Sequence, residues 1–199
     1  MQELIDAGIR AEVLTKLDEL ADQHQVTIIN AIESGSRSWG FPSPDSDYDV
    51  RFVYAHQPDW YIQLNQERDV IELPVNAVLD IGGWDLRKAM TLANSGNSVI
   101  QEWMTSPLVY RENQVLAAKL REMVARTFSA KATYHHYSSM AKNMIPALDE
   151  ADVKLKRFFY ISRATLSALW VVREHSMPTV IFADLLRALT DDVAISEAF

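Results

Sequence analysis

Residues 35–50 of the chain read GSRSWGFPSPDSDYDV, a stretch rich in glycine, serine, proline and aspartate. An apolar, β-branched run at residues 26–32 precedes it and predicts a strand. The glycine, prolines and serines of residues 37–47 predict turns. Residues 48–54 alternate and are rich in β-formers, which predicts a second strand. The stretch therefore connects two short strands.

The same stretch contains residue types suited to phosphate and to metal ions. Gly35 allows a phosphate to approach the backbone, where amides and the Ser36 hydroxyl can hold it. Asp47 and Asp49 are two residues apart at the start of a strand, so their side chains share a face. Two such carboxylates repel each other unless a cation lies between them, and hard divalent cations, chiefly Mg²⁺, suit this arrangement. The alternative is one turn aspartate and one exposed strand acid.

A third acid stands inside a later apolar run. Asp80 is flanked by leucine and isoleucine in residues 75–81, where an unpaired buried carboxylate would be costly. Metal coordination would explain it, because two metals about 3.5–4 Å apart can clamp the oxygens of an in-line displacement at phosphorus. Glu72 and Asp85 are the rival third ligands, although Asp85 is more simply a residue at a helix start.

The rest of the chain predicts an α+β fold. Apolar spacing of three to four residues predicts a first helix at 3–23, and further short strands are expected at 70–73 and 75–81, the last ended by Gly82-Gly83. Strands are confined to the first 110 residues and helices dominate the remainder. The predicted helices after the strands are 84–93, 98–105, 113–126, 130–145, 152–174 and 180–190. We expect a strand-bearing domain at 1–110 and a helical region at 111–199, the latter truncated at its C-terminus or packed on a partner.

Composition excludes several classes of protein. The 199 residues are 48% hydrophobic and 23% charged, include no cysteine and have a net charge of −8. Disulfide scaffolds, thiolate zinc sites and cysteine nucleophiles are therefore excluded. Since no apolar run is long enough for a membrane span and the N-terminus is unlike a signal peptide, we expect no membrane association and a cytoplasmic location.

The charges are distributed unevenly. Residues 1–110 carry a net charge of −10, residues 111–175 carry +5 and residues 176–199 carry −3. An acidic half followed by a basic helical stretch is typical of a metal-dependent enzyme with a phosphate-bearing substrate, and chance is the alternative. Overall acidity argues against tight, non-specific DNA binding.

The order and spacing of Gly35-Ser36, Asp47, Asp49 and Asp80 resemble those of the DNA polymerase β type of nucleotidyltransferase superfamily. More narrowly, residues 28–175 resemble a bacterial and phage family of predicted nucleotidyltransferases, some of whose phage members are associated with RNA repair. The matching segments are GSRSWGFPSPDSDYDVRFVY, LDIGGWDLRKAM, EWMTSPLVYRE and VKLKRFFYISR. The resemblance implies a small mixed-sheet palm domain followed by a helical extension.

The resemblance also implies roles for these residues. Ser36 and nearby amides would bind the β- and γ-phosphates of a nucleoside triphosphate. Asp47, Asp49 and Asp80 would bind Mg²⁺ or Mn²⁺, and Asp80 would help to deprotonate the acceptor hydroxyl. The acceptor would attack the α-phosphorus and release pyrophosphate. RNA or tRNA is the expected acceptor.

Residues outside the acidic set are open to two interpretations each. Arg37 either contacts triphosphate or pairs with an acid nearby, Glu33 or Asp45. Trp39 and Phe41 either stack on a base or pack beneath the loop. Lys156, Tyr160 and Arg163 share one face of a predicted helix. This face either contacts the nucleotide or the acceptor, or it is exposed to solvent.

Three functions remain open at this point. The first is nucleotidyl transfer to a macromolecule, and the second is a non-catalytic or partner-regulated module of the toxin–antitoxin type. The third is nucleotidyl transfer to a small molecule, which the acidic N-terminal half keeps open. A protein partner is expected under the second.

Overall fold

The computed structural model describes residues 4–65, 67–76, 78–145 and 155–189, which form five strands and nine helices. The strands are β1 (Thr27–Glu33), β2 (Tyr48–Ala55), β3 (Val70–Glu72), β4 (Leu79–Asp85) and β5 (Val109–Glu112). The helices are α1 (Ala7–His24), α2 (Gly35–Trp39), α3 (Pro58–Tyr61), α4 (Leu86–Asn94), α5 (Ser98–Thr105), α6 (Gln114–Arg126), α7 (Ala130–Met144), α8 (Leu155–Glu174) and α9 (Phe182–Leu189). The predicted α+β class is confirmed.

The strands form one mixed sheet in the order β3-β4-β2-β1-β5. Strands β2 and β4 are parallel, and the other neighbouring pairs are antiparallel. Because β2 and β4 are parallel, both run in the same direction away from the end of the sheet that holds Asp49 and Asp80.

Two apolar layers cover the two faces of the sheet. Helix α1 begins at Asp6, whose carboxylate accepts hydrogen bonds from the amides of Gly8 and Ile9. Its buried residues Val13 and Leu17 pack with the inward side chains of β2 and β4. On the opposite face, apolar residues of α4, α5 and α6 pack against β1 and the middle of β2.

The acidic ends of β2 and β4 are left open on that second face. The side chains of Asp49 and Asp80 are 24% and 30% exposed, whereas Val53, further along β2, is fully buried. Helices α4, α5 and α6 thus pack over β1 and Val53, and among the described residues the side chains of Asp49 and Asp80 stay partly exposed.

Several predicted boundaries were wrong. Strand β4 continues through Gly82-Gly83, and α4 begins at Leu86 rather than at residue 84. A Cβ on Gly83 would lie 2.3 Å from the Phe52 ring, so glycine here marks a close approach between two strands rather than a strand end. Asp85 caps α4 by accepting a hydrogen bond from the Arg87 amide, as its position in the sequence suggested.

Of three short elements, α3 and β5 were not predicted, whereas a helix or tight turn opening at Gly35-Ser36 was expected. Residues 35–39 form the helical turn α2, residues 58–61 form α3, and β5 pairs with β1. The strands therefore extend to residue 112. The predicted domain boundary at residues 110 and 111 falls inside β5, and the division itself stays a prediction. None of the described helices is long and apolar enough to cross a membrane.

Candidate active site

Asp49 and Asp80 occupy paired positions on the parallel strands β2 and β4. Residues in register on neighbouring strands project to the same side of a sheet, so the two carboxylates share the open face. Asp47 lies just before β2 and two residues from Asp49. The structure thus brings together acids that are 31 residues apart in the sequence.

Arg51 links the two strand carboxylates, and its role was not predicted. Its Nη2 donates to Asp80 Oδ2 at 2.6 Å and to Asp49 Oδ1 at 3.3 Å. Its Nη1 donates to the Asp80 carbonyl oxygen at 2.9 Å. Arg51 follows Asp49 by two residues, so the strand alternation that grouped Asp47 with Asp49 could also have placed Arg51 on this face.

Burial raises the pKa of the Asp49 carboxyl group. Arg51 opposes this shift, while the negative charges of Asp47 and Asp80 add to it, and Lys156 lowers the pKa by a smaller amount. The ionised form of Asp49 is therefore short of positive charge even with Arg51 in place. An additional cation at this position would stabilise the carboxylate.

The donor set of Asp47, Asp49 and Asp80 fits a hard divalent cation, because all its ligands are carboxylate oxygens and two lie in register on adjacent strands. Within the described residues, however, no three histidine, aspartate or glutamate side chains already stand grouped as a metal site. The guanidinium of Arg51 lies between two of the three acids. A cation that used Asp49 Oδ1 or Asp80 Oδ2 would displace this ion pair.

Glu33 supports the site from the end of β1 and was not predicted as a site residue. Its side chain is fully buried, accepts a hydrogen bond from the Asp49 amide at 3.0 Å and accepts another from the Tyr110 hydroxyl at 2.6 Å. Burial raises the pKa of Glu33 to about 7 despite these hydrogen bonds. Glu33 thus fixes the backbone of the residue that bears one of the three acids.

Gly35 lies directly beside Asp49, and Ser36 follows it in α2. Gly35 has φ +60°, and a Cβ there would come 2.1 Å from Asp49 Oδ2. The buried Ser36 hydroxyl donates to Ser46 Oγ at 3.2 Å, which ties α2 to the loop before Asp47. Glycine is required here both by its backbone conformation and by the close carboxylate.

Arg37 is engaged by the backbone of two loops. Its guanidinium nitrogens donate to the carbonyl oxygens of Asp47 at 3.1 Å, Leu4 at 3.2 Å and Ser46 at 2.6 Å. Its guanidinium also lies 3.7 Å from the centre of the Tyr48 ring. These contacts show Arg37 holding the loop that presents Asp47, and its predicted contact with triphosphate stays a prediction.

Helix α8 borders the acids on the side of α2. Burial raises the pKa of Tyr160, and the nearby charges of Asp49 and Asp47 raise it further, while a hydrogen bond with Ser36 opposes them. Lys156 lies one turn earlier, 6.0 Å from the centre of the Tyr160 ring. Trp39 packs edge-on against Tyr160 with a centroid separation of 5.0 Å. The predicted residues Lys156 and Tyr160 therefore lie beside the acidic set.

Trp39 and Phe41 pack beneath the loop, which is one of the two predicted alternatives. Phe41 stacks on Phe159 with ring centroids 5.3 Å apart. The guanidinium of Arg163 lies 4.2 Å from the centre of the Trp39 ring. Arg163 is buried, so it does not belong to a solvated basic face.

A cavity formed by other described residues lies away from the acids. It has a volume of about 630 Å³ and lies between α4 and α6, where Met90 and Met123 contribute to a mainly apolar lining. No aspartate or glutamate lines it. It therefore lacks the acid–base and ligand groups that the carboxylate cluster provides.

Comparison with known proteins identifies relatives of the chain. The profile of RlaP, described as the RNA repair pathway DNA polymerase beta family, matches residues 9–199. YcgL of Bacillus subtilis, described only as uncharacterized, is 40% identical over 182 residues, which are 91% of this chain and 70% of that protein.

A solved structure also resembles the chain distantly. It is a nucleotidyltransferase-like protein from Exiguobacterium sibiricum with 11% sequence identity and a TM-score of 0.39. The match covers 95% of this chain, which spans only 65% of that protein. A TM-score this low does not establish a shared fold.

Proposed function

The chain belongs to the RNA repair pathway DNA polymerase beta family, and from this premise we propose that it is a metal-dependent nucleotidyltransferase. It transfers a nucleoside monophosphate from a nucleoside triphosphate to an acceptor hydroxyl, with RNA as the acceptor, in the cytoplasm. The observation that carries the proposal is the register of Asp49 with Asp80 on parallel strands beside the Gly35-Ser36 loop.

Asp47, Asp49 and Asp80 would hold Mg²⁺ or Mn²⁺. When bound, such a cation supplies positive charge that offsets the charge developing on the phosphoryl oxygens during transfer. Ser36 and the amides of the tight loop bind the β- and γ-phosphates, since glycine at position 35 lets this loop pass directly beside the Asp49 carboxylate. Lys156 adds a positive charge on the α8 side of the acids, as its effect on the pKa of Asp49 indicates.

The reaction needs no nucleophilic side chain. The acceptor hydroxyl oxygen forms a bond to the α-phosphorus, and the bond from that phosphorus to the α,β-bridging oxygen breaks. Pyrophosphate leaves with the bridging oxygen. The hydroxyl proton passes to Asp80 or to water, because Asp80 lies on the open edge of the acidic set.

The experiment measures transfer of labelled monophosphate and release of pyrophosphate with each of the four nucleoside triphosphates, Mg²⁺ or Mn²⁺, and tRNA or nicked RNA. Asp49→Asn and Asp80→Asn keep side-chain size but remove a ligand charge, so each is expected to lower the rate at least about a hundredfold. Asp22→Asn, on the exposed surface of α1, is the matched control and keeps the wild-type rate.

Equal rates for the wild type, Asp49→Asn and Asp22→Asn would contradict the proposal. Transfer to a small-molecule acceptor but never to RNA would support the acidic site as the catalytic site and contradict RNA as the acceptor. A protein without transfer activity that forms a stoichiometric complex insensitive to Asp49→Asn would favour the partner-regulated alternative.

A further inference from the structure

A groove runs from Asp80 along the open face of the sheet. It has a volume of about 430 Å³, within the range of ligand-binding clefts, and Asp80, Arg51 and Gly82 line the end near the acids. Trp84 and Trp103 line it as well. Trp84 is four residues beyond Asp80 on β4, so the strand carries the groove about 13 Å from the acid.

The floor of the groove is open because residue 82 is a glycine. On this face β4 presents Asp80, Gly82 and Trp84 in alternation, and Gly82 pairs with Arg51 on one side and with Glu72 on the other. A Cβ on Gly82 would meet nothing closer than 3.7 Å. Glycine is thus not required by packing at this position, and its effect is to leave a flat slot between two strands.

The far wall of the groove is aromatic. The rings of Trp84 and Trp103 stack with centroids 3.9 Å apart and an interplanar angle of 26°. Trp103 is buried in α5, whereas Trp84 is partly exposed, so the pair is a rigid surface rather than two mobile side chains. Flat heteroaromatic bases stack on such surfaces with little dependence on sequence.

The charges along the groove are paired. Arg51, which lines the groove, forms an ion pair with Asp80, and Glu72 at the rim is paired with Arg68, which does not itself line the groove. The groove is therefore not an acidic pocket of the kind that would attract a cationic small molecule. Aromatic and apolar walls with paired charges at the rim suit a nucleobase better than a polycation.

We propose that this groove binds the terminal nucleotide of the RNA acceptor, with its base in the slot above Gly82 and against the Trp84–Trp103 pair. The proposal rests on the proposed function, because Asp80 at the head of the groove is the side chain beside which the acceptor hydroxyl would react. When the base of the acceptor nucleotide lies over Gly82, its ribose holds the reacting hydroxyl near Asp80. Holding the hydroxyl there lowers the entropic cost of bringing it to the reacting phosphorus.

The test measures binding of a fluorescein-labelled RNA hexamer in the absence of nucleoside triphosphate and metal, so that it does not depend on catalysis. Gly82→Val fills the slot with a residue that favours strands, and it is expected to weaken RNA binding about tenfold. Gly82→Ala adds only a methyl group that meets no close neighbour, and it is expected to bind within about twofold of the wild type.

A second pair of variants removes an indole. Trp84→Leu is expected to weaken RNA binding about tenfold, whereas Trp170→Leu, on α8 away from the groove, leaves it unchanged. Thermal stabilisation by ATP with Mg²⁺ should be the same in Gly82→Val and the wild type, because the phosphate loop is intact.

Hexamer binding that is equal in Gly82→Val, Gly82→Ala and the wild type would overturn the inference. Displacement of the hexamer by kanamycin at equal concentration would also overturn it, by showing that the groove prefers a cationic amino sugar. Hexamer binding that depends on Gly82 in a protein without transferase activity would support the groove and reject the catalytic proposal, so the two failures are distinguishable.

Discussion

Arg51 places a single guanidinium between Asp49 and Asp80, where it occupies one oxygen of each carboxylate and would compete with a cation for those two oxygens. The alternation that predicts Asp47 and Asp49 on one face extends to Arg51, but a sequence does not show which side chain a guanidinium will reach across strands. Asp80 as partner of Asp49 was predicted from its apolar neighbours and from the family resemblance of the acidic pattern. The strand register that joins the two acids could not be predicted, because it depends on long-range pairing.

Replacing Arg51 tests this competition. We expect Arg51→Met to bind Mn²⁺ about fivefold more tightly than the wild type, which corresponds to ~1 kcal/mol for a partly exposed ion pair. Electron paramagnetic resonance titration of free Mn²⁺ measures the affinity. Arg126→Met, which removes an exposed pair with Glu122 on α6, is the control and leaves the affinity unchanged. Unchanged or weaker Mn²⁺ binding by Arg51→Met would rule out the competition.

The raised pKa of Glu33 predicts that the stability of the folded chain depends on pH. Its ordinary pKa is 4.5 and burial raises it to about 7 in the folded chain. Between these values the folded state holds a proton that the unfolded state releases, so raising the pH lowers the free energy of unfolding, by up to about 3 kcal/mol. Below pH 4.5 Glu33 does not lower the free energy of unfolding, and above pH 7 the decrease is complete.

Glu33→Gln removes this titration and keeps an oxygen that can accept from the Asp49 amide. Urea unfolding of both proteins at pH 5, 6, 7 and 8 should show the variant gaining stability relative to the wild type as the pH rises to about 7. Parallel stabilities of the two proteins over this range would contradict a raised pKa at Glu33.

The glycines of α2 and β4 show which element boundaries can be predicted from glycine in the sequence and which cannot. Gly35-Ser36 was correctly placed after a strand, and the structure adds the contact with Asp49 that makes glycine necessary. Gly82-Gly83 was taken as the end of a strand, which was wrong, because Gly83 accommodates the Phe52 ring of the neighbouring strand. Composition alone does not distinguish a glycine that ends a strand from one that permits close packing.

Gly35 in α2 and Gly40 at its C-terminus allow the effect of backbone strain to be distinguished from the effect of a steric clash. Both Gly35 and Gly40 have positive φ, but a Cβ on Gly40 would meet nothing closer than 3.8 Å. We expect Gly35→Ala and Gly40→Ala each to lower the free energy of unfolding by about 1–2 kcal/mol. Only Gly35→Ala should also lower transfer activity, by at least about tenfold, because it displaces the Asp49 carboxylate. Equal residual activity of the two folded variants would show that the contact with Asp49 is unimportant.

At the scale of the whole molecule, a buried ion pair joins the sheet region to the helical region. Glu102 of α5 accepts hydrogen bonds from Tyr137 of α7 at 2.8 Å and from Arg163 of α8. Arg163 is only 2% exposed and also lies over Trp39 of α2. The sequence placed Arg163 on a basic helical face, and its burial could not be predicted because Glu102 lies 61 residues earlier.

Breaking this pair should destabilise the molecule strongly. Glu102→Gln leaves the Arg163 charge buried without a counterion, and we expect a loss of about 3 kcal/mol in the free energy of unfolding. Glu122→Gln removes the exposed partner of Arg126 and should cost less than about 0.5 kcal/mol. Urea denaturation measures both. Similar losses in the two variants would show that the Glu102–Arg163 pair does not hold the regions together.

The proposed function depends most on a cation site formed by Asp49 and Asp80 on one face of the sheet. Anomalous diffraction from crystals soaked in Mn²⁺ and a non-hydrolysable nucleoside triphosphate tests it most directly. We predict an anomalous peak in contact with carboxylate oxygens of Asp49 and Asp80, with the Arg51 guanidinium displaced from at least one of them. A structure with nucleotide bound, Arg51 still bridging both acids and no anomalous peak beside them would contradict the claim.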